Sequence, residues 1–178
     1  MLEITIPGKE LYDEANNEFI NVKGQTLKLE HSLVSLSKWE SKWHKPFLKT
    51  DMTVEETLDY IRCMTITQNV NPLVYNCIAN DNVRRVIEYI EDPMTAKKFP
   101  KLPNSRSHEI ITAEDIYYWM ISFGIPSEYQ KWHLNRLLNL IKVCNDKNTP
   151  PQKMSKQELM ARNRALNEER KKALNTKG

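Results

Sequence analysis

The sequence is poor in glycine and cysteine, and both shortages limit the chemistry that it can perform. Its four glycines form no GxxxxGKS/T run, which disfavours a loop that cradles phosphate with backbone N–H groups. Its three cysteines, Cys63, Cys77 and Cys144, form no CxxC pair, and an odd, widely spaced set is typical of reduced, mostly buried thiols. Histidines spaced i, i+4 and a GxSxG motif are also missing, so we expect no metal, no cofactor and no catalytic residues.

Long apolar runs and a signal-like N-terminus are missing as well. No run approaches the ~18 apolar residues of a membrane span, so we expect no membrane partner. Residues 1–6 show no basic region followed by an apolar stretch, which predicts a cytoplasmic protein without a secretory signal. Hydrophobic residues make up 40% of the 178 positions, enough for one globular domain with an appendage.

The N-terminal residues show strand periodicity. Leu2, Ile4 and Ile6 alternate with polar residues, as in a strand with one buried face. Residues 19–22 and 26–30 flank the sequence Lys23-Gly24-Gln25, which predicts a hairpin that turns at Gly24. We therefore expect residues 1–31 to form a small sheet of two or three strands.

Three capping boxes indicate helix starts. The pattern of a hydroxyl residue followed three positions later by a carboxylate begins at Thr53, Thr112 and Ser155, and apolar residues at helical spacing follow each box. Further helical stripes cover residues 33–43 and 83–90. Between helices, residues 93–110 carry the composition of a long surface loop.

Other helix boundaries follow from glycine and proline. The link Gly124-Ile125-Pro126 predicts that Pro126 opens a helix antiparallel to the preceding one. Together the patterns predict an α+β fold, mainly α: a small N-terminal β-hairpin or sheet, a helical bundle, and a basic C-terminal helix. We assign residues 1–150 to an α-rich globular domain that includes the β element (1–31), and residues 151–178 to a basic helical arm.

Three pairs of neighbouring carboxylates resemble acid–base dyads at first sight. Adjacent side chains on a helix diverge by about 100°, so they do not converge on one reacting atom. Two of the pairs fall in first helical turns, where negative charge stabilises the helix dipole. Helix capping is therefore the favoured interpretation for Glu55-Glu56, Glu114-Asp115 and Glu168-Glu169.

The aromatic residues admit two interpretations. Trp39, Trp43, the run at 117–119 and Trp132 are compatible with base-stacking platforms. Their helical spacing with aliphatic residues favours core packing instead, and His133 fits a hydrogen-bonded structural role. Tyr117 and Tyr118 cannot share one helix face with Trp119, so at least one of the three should reach the surface as an anchor for a partner.

The basic C-terminal segment is the clearest functional feature. Residues 153–178 carry eight Lys or Arg residues against three Glu, a net charge of +5, whereas the whole chain carries +3. The apolar stripe of this helix is thin. A solvated, charge-balanced helix is the simplest interpretation and a partner-binding arm the next; nucleic-acid binding through counterion release is disfavoured by the interspersed glutamates.

Short ungapped runs carry a resemblance to a known family. The runs are LEHSLVSLSKWESKW (29–43), EETLDYI (55–61), IYYWM (116–120), IP (125–126), WHLNRL (132–137), KMS (153–155), RNR (162–164) and LN (166–167). In content and order they resemble tail assembly chaperones of long-tailed bacteriophages, from about Leu27 to Gly178. The N-terminal strands are the least diagnostic part.

This resemblance implies a non-enzymatic assembly factor of the host cytoplasm. Such chaperones bind the phage tape-measure protein, keep it soluble, help the major tail protein polymerise around it, and are not expected in the mature virion. The resemblance is also compatible with a homo-oligomer. We predict contacts through a face near residues 117–120 or through the helix at 154–176. The predicted contact residues are Tyr117, Tyr118, Met120, Leu159, Arg162, Arg164, Leu166 and Arg170.

Two alternatives from other classes remain at this point. One is a structural virion protein, such as a head–tail connector or tail component. The other is a small nucleic-acid-binding regulator that uses the basic C-terminal tail.

Overall fold

The fold is mainly helical with a small N-terminal β region, as the sequence predicts. The computed structural model describes residues 1–14, 16–97, 110–148 and 156–174. The strands are β1 (Leu2–Ile6), β2 (Lys9–Asp13), β3 (Glu18–Val22) and β4 (Gln25–Leu29). The helices are α1 (Leu33–Trp43), α2 (Val54–Met64), α3 (Asn80–Glu91), α4 (Ala113–Ser122), α5 (Leu134–Asn148) and α6 (Lys156–Leu174), with short 3-10 helices at Phe47–Lys49, Pro72–Cys77 and Ser127–Lys131.

The four strands form one long antiparallel hairpin with an interruption in the middle. Leu2 pairs with Leu29 at its base, and Lys9 pairs with Val22 in its outer half. The two pairs of strands share one register, so Gly8 and Gly24 lie at the interruption between them. A Cβ atom on Gly24 would lie 2.8 Å from the backbone nitrogen of Gly8, and this close approach requires glycine.

The predicted hairpin turn at Gly24 is therefore wrong. β3 and β4 follow one another along one side of the hairpin, and the chain reverses between Asp13 and Glu18. Asn17 adopts a left-handed conformation there, with φ of 55°, which asparagine tolerates better than most residues. A turn and a point of close backbone approach both select glycine, so the residue type alone did not distinguish them.

The inner half of the hairpin is built into the core. Ile4, Ile6, Leu27 and Leu29 are almost fully buried. The outer edge of β4 pairs with the end of α2, where the Ile66 nitrogen donates to the Lys28 carbonyl oxygen at 2.8 Å. On the β1 edge, side chains of α3 donate to backbone carbonyl oxygens, including Arg85 to Glu3 at 3.2 Å. The outer half, β2 and β3, extends beyond these contacts.

Helix starts follow the predicted caps where the structure describes them. Thr53 and Thr112 both complete capping boxes, with Glu56 and Asp115 as the returning carboxylates. The box predicted at Ser155 lies outside the described residues, as does most of the loop predicted at 93–110. α1 has a box that the sequence analysis missed, in which Ser32 and Ser35 exchange hydrogen bonds.

The helix predicted to open at Pro126 begins later. A 3-10 helix occupies Ser127–Lys131, and α5 starts at Leu134. His133 forms a β-bridge with Ser32, and the Leu134 nitrogen donates to the His31 carbonyl oxygen at 2.7 Å. These long-range bonds hold the backbone extended just before α5, which is why the helix does not run from Pro126.

The chain divides into two compact units, Met1–Cys144 and Asn145–Gly178. The first holds the core, in which Trp39, Phe47 and Tyr60 pack edge to face or tilted. The second contains α6. Among the described residues, no helix is long and apolar enough to cross a membrane.

Candidate protein-binding surfaces

The buried histidine His31 joins the end of the hairpin to α2. Its Nδ1 lies 2.5 Å from the Tyr60 hydroxyl oxygen, and only 2% of its surface is exposed. Burial, with a contribution from neighbouring His133, lowers the pKa of His31 to about 3, so the ring is neutral at physiological pH. Burial also raises the pKa of the Tyr60 hydroxyl. A neutral, enclosed pair of this kind holds two elements together.

His133 has the hydrogen-bonded structural role that the sequence predicted. Its Nε2 lies 2.9 Å from the Tyr89 carbonyl oxygen, which can only accept, so Nε2 carries the proton. Its Nδ1 accepts from the Asn135 backbone nitrogen at 3.3 Å. The ring therefore joins α3 to the start of α5.

The buried carboxylates are likewise engaged in joining elements. Asp59 accepts from Lys42 Nζ at 2.5 Å and from Trp43 Nε1 at 2.8 Å. Burial alone would raise the pKa of Asp59, but these two hydrogen bonds and the nearby cations outweigh it and hold the pKa below its usual value. The Lys45 hydrogen bond, followed by the Thr53 backbone bond, lowers the pKa of Glu56 in the same way.

The predicted contact residues on α4 divide between surface and core. Tyr118 is 68% exposed and Ile121, one turn further on, is 79% exposed. Tyr117 is half-buried, and its hydroxyl donates to Gln130 Oε1 at 3.0 Å. Met120 is only 3% exposed, so its assignment as a contact residue is wrong: its side chain faces the core, where the apolar periodicity of α4 places it.

The predicted contact residues on α6 are all at the surface. Every described side chain from Leu159 to Leu174 is exposed. Leu159 and Leu166 are seven residues apart and share one face of the helix, and Arg170 lies on the same stripe. A helix of this length normally packs its apolar stripe against another apolar surface. Among the predicted contact residues, those of α6 therefore form the strongest candidate for a protein-binding surface.

A second surface, which the sequence analysis missed, lies at the end of the hairpin. Tyr12 and Phe19 are a cross-strand pair with ring centroids 5.1 Å apart, and they are 51% and 73% exposed. With Glu10 and Asn21 they form one side of the β2–β3 ribbon, which we call the outer face. Leu11 and Ile20 occupy the other side and pack against the core. The sequence did contain a sign of this surface. Apolar residues occupy both faces of the short hairpin, Leu11 and Ile20 on one and Tyr12 and Phe19 on the other, and both faces cannot pack against the core.

The aromatic residues follow the predicted core role only in part. Trp39 is fully buried. Trp132 is half-buried: its ring stacks on Tyr129 with centroids 3.9 Å apart, and the Arg136 guanidinium carbon lies 4.0 Å from the Trp132 ring centroid.

The cysteines differ in burial. Cys77 is buried, while Cys63 and Cys144 are half-buried, and all three are free thiols.

Comparisons with protein families, curated proteins and solved structures give no match. Within the described part of the chain, no three His, Cys, Asp or Glu side chains gather closely enough to hold a metal ion.

Proposed function

We propose that this protein is a non-enzymatic tail assembly chaperone of a long-tailed bacteriophage. In this role it binds the tape-measure protein in the host cytoplasm, promotes polymerisation of the major tail protein around it, and leaves before the virion is complete. The proposal rests on the sequence resemblance. The observation that supports it best is α6, whose described side chains, including Leu159 and Leu166, are all exposed.

The chemistry of α6 suits a helical client. Leucines two turns apart can lie in the apolar seam of another helix, and Met160 adds a flexible contact. Arg170 lies within the stripe and Arg162 borders it, and both would bind acidic side chains of the client. Buried polar contacts of Glu40 and His133 join elements within the first unit.

A pair of matched variants tests this role. We expect the double variant Leu159→Ser, Leu166→Ser to lower the soluble fraction of co-expressed tape-measure protein several-fold, because it removes the apolar seam. The control Ala161→Ser, Ala165→Ser introduces the same residue into the same helix at positions at least about 100° away from the leucine stripe and should have no effect. Equal solubility with both variants would remove α6 from the mechanism.

A second measurement separates a chaperone from a virion component. Mass spectrometry of purified phage particles should find this chain absent or in traces. Recovery at a fixed, stoichiometric copy number would contradict the proposal.

A further inference from the structure

We infer that the protein self-associates through a contact in which the outer face of the hairpin of one copy binds α6 of a second copy. The inference does not depend on the tape-measure protein. It rests on two exposed apolar surfaces of the same chain that carry opposite net charges.

The outer face offers an apolar pair on a hairpin of net negative charge. Tyr12 and Phe19 provide two adjacent aromatic rings, and the Tyr12 hydroxyl donates to Asn17 Oδ1, which orients its ring. Glu10 and Glu14 are exposed beside them. Exposed aromatic pairs of this kind are typical anchors of protein interfaces.

α6 offers the complementary pattern. Leu159 and Leu166 supply aliphatic side chains along one stripe, and Arg170 lies within the same stripe. The segment Lys156–Leu174 contains six Lys or Arg residues and three Glu, a net charge of +3. The segment 9–22 of the hairpin contains one Lys and four carboxylates, a net charge of −3. Of these residues Glu10 lies on the outer face, whereas Lys9, Asp13 and Glu18 belong to the other side of the ribbon.

The charges select this pairing over the two symmetric alternatives. Two hairpins placed face to face would oppose two acidic surfaces, and two copies of α6 would oppose two basic ones, so both arrangements carry like-charge repulsion. The hairpin with α6 brings opposite charges together around an apolar centre.

The dimensions of the two surfaces also agree. Strands β2 and β3 are five residues long, about 17 Å at the rise of a β-strand. This length covers about three turns of an α-helix, and Leu159 and Leu166 lie two turns apart. Leu159 and Leu166 are about 10.5 Å apart along the helix axis, whereas the Tyr12 and Phe19 rings are 5.1 Å apart across the strands. In the docked position Leu166 therefore lies over the aromatic pair and Leu159 lies further along the ribbon.

A mixing experiment tests the contact on the full chain, without tape-measure protein. Light scattering after size exclusion should show a mass that rises with concentration between roughly 1 and 300 μM, the range expected for a modest interface. High salt should weaken the association because it screens the charges. Phe19→Ser and Leu166→Ser should each raise the dissociation constant at least about tenfold, as loss of a central apolar contact does.

The decisive sample is an equimolar mixture of the two variants. Phe19→Ser keeps an intact α6 and Leu166→Ser keeps an intact hairpin, so the mixture should form a heterodimer although each variant alone is impaired. Ile121→Ser removes an equally exposed residue on α4 and should associate like the wild type. Unchanged circular dichroism would show that the variants are folded. A wild-type chain that stays monomeric, salt-insensitive association, or a mixture that does not recover would each overturn the inference.

Discussion

Glu40 shows how one buried side chain can connect segments that are far apart in sequence. Its Oε1 accepts from the Phe47 nitrogen at 2.8 Å and its Oε2 from the Ala113 nitrogen at 2.7 Å. The carboxylate thus holds α1 to the following 3-10 helix and to the first turn of α4. Each carboxylate oxygen accepts from a different backbone N–H. A glutamine amide could replace only one of these acceptors, because its other terminal atom is an NH₂ donor.

We expect Glu40→Gln to lower the free energy of unfolding by about 2 kcal/mol, because the amide nitrogen would face a backbone N–H donor in a buried place. Denaturant unfolding followed by circular dichroism measures the change. Glu88→Gln, on the exposed side of α3, is the control and should stay within about 0.5 kcal/mol of the wild type. Equal effects of the two substitutions would contradict the role of Glu40.

His31 should make stability sensitive to mild acid. Its pKa is about 3 in the folded protein, against an ordinary histidine value of 6.5, so the unfolded chain binds more protons between these values. The free energy of unfolding should therefore fall as pH drops below about 6.5, by up to about 1.4 kcal/mol per pH unit. Glu56 and Asp59, whose pKa values are lowered, add losses only at lower pH.

The contribution of His31 is isolated by measuring unfolding between pH 6.5 and about pH 5, where carboxylates are still largely ionised. His31→Gln should flatten the slope in this window, whatever its effect on absolute stability. His44→Asn changes an exposed histidine with φ of 53°, a conformation that asparagine tolerates, and should leave the slope unchanged. A wild-type slope in His31→Gln would show that another group is responsible.

At the scale of elements, the hairpin depends on the close approach of Gly8 and Gly24. We expect Gly24→Ala to cost about 2 kcal/mol or more, since its Cβ would lie within 3.0 Å of two backbone atoms. Gly8→Ala should cost less, because its nearest contacts are at 3.2 Å. Asn21→Ala on the exposed outer face is the control. Thermal or denaturant unfolding ranks the stabilities of the three variants. A Gly24→Ala variant as stable as Asn21→Ala would show that the close backbone approach at Gly24 does not require glycine.

Local patterns predicted the helices better than the strands. A capping box acts within four residues, so Thr53 and Thr112 are readable from the sequence. The pairing of β1 with β4 joins residues 19 to 27 positions apart, and no local signal specifies it. The same limit explains why α5 begins at Leu134: His31 and Ser32, a hundred residues earlier, fix the backbone there.

At the scale of the whole molecule, the two proposed contacts share α6. A client helix and the hairpin of a second copy would compete for Leu159 and Leu166. The candidate site was predicted where it lies on a continuous helix, as at Leu166 and Arg170, and missed at Tyr12 and Phe19. Exposure of Tyr12 and Phe19 depends on which face of the β2–β3 ribbon packs against the core, and that is decided by tertiary packing.

The sequence by itself determined the class of fold, the helix starts at two capping boxes and the basic character of α6, because each arises from neighbours within a few residues. Only the tertiary structure decided that Glu40 and His31 are structural. It also decided that an aromatic pair is left at the surface. These properties depend on contacts between segments distant in sequence, and chain packing alone brings such segments together.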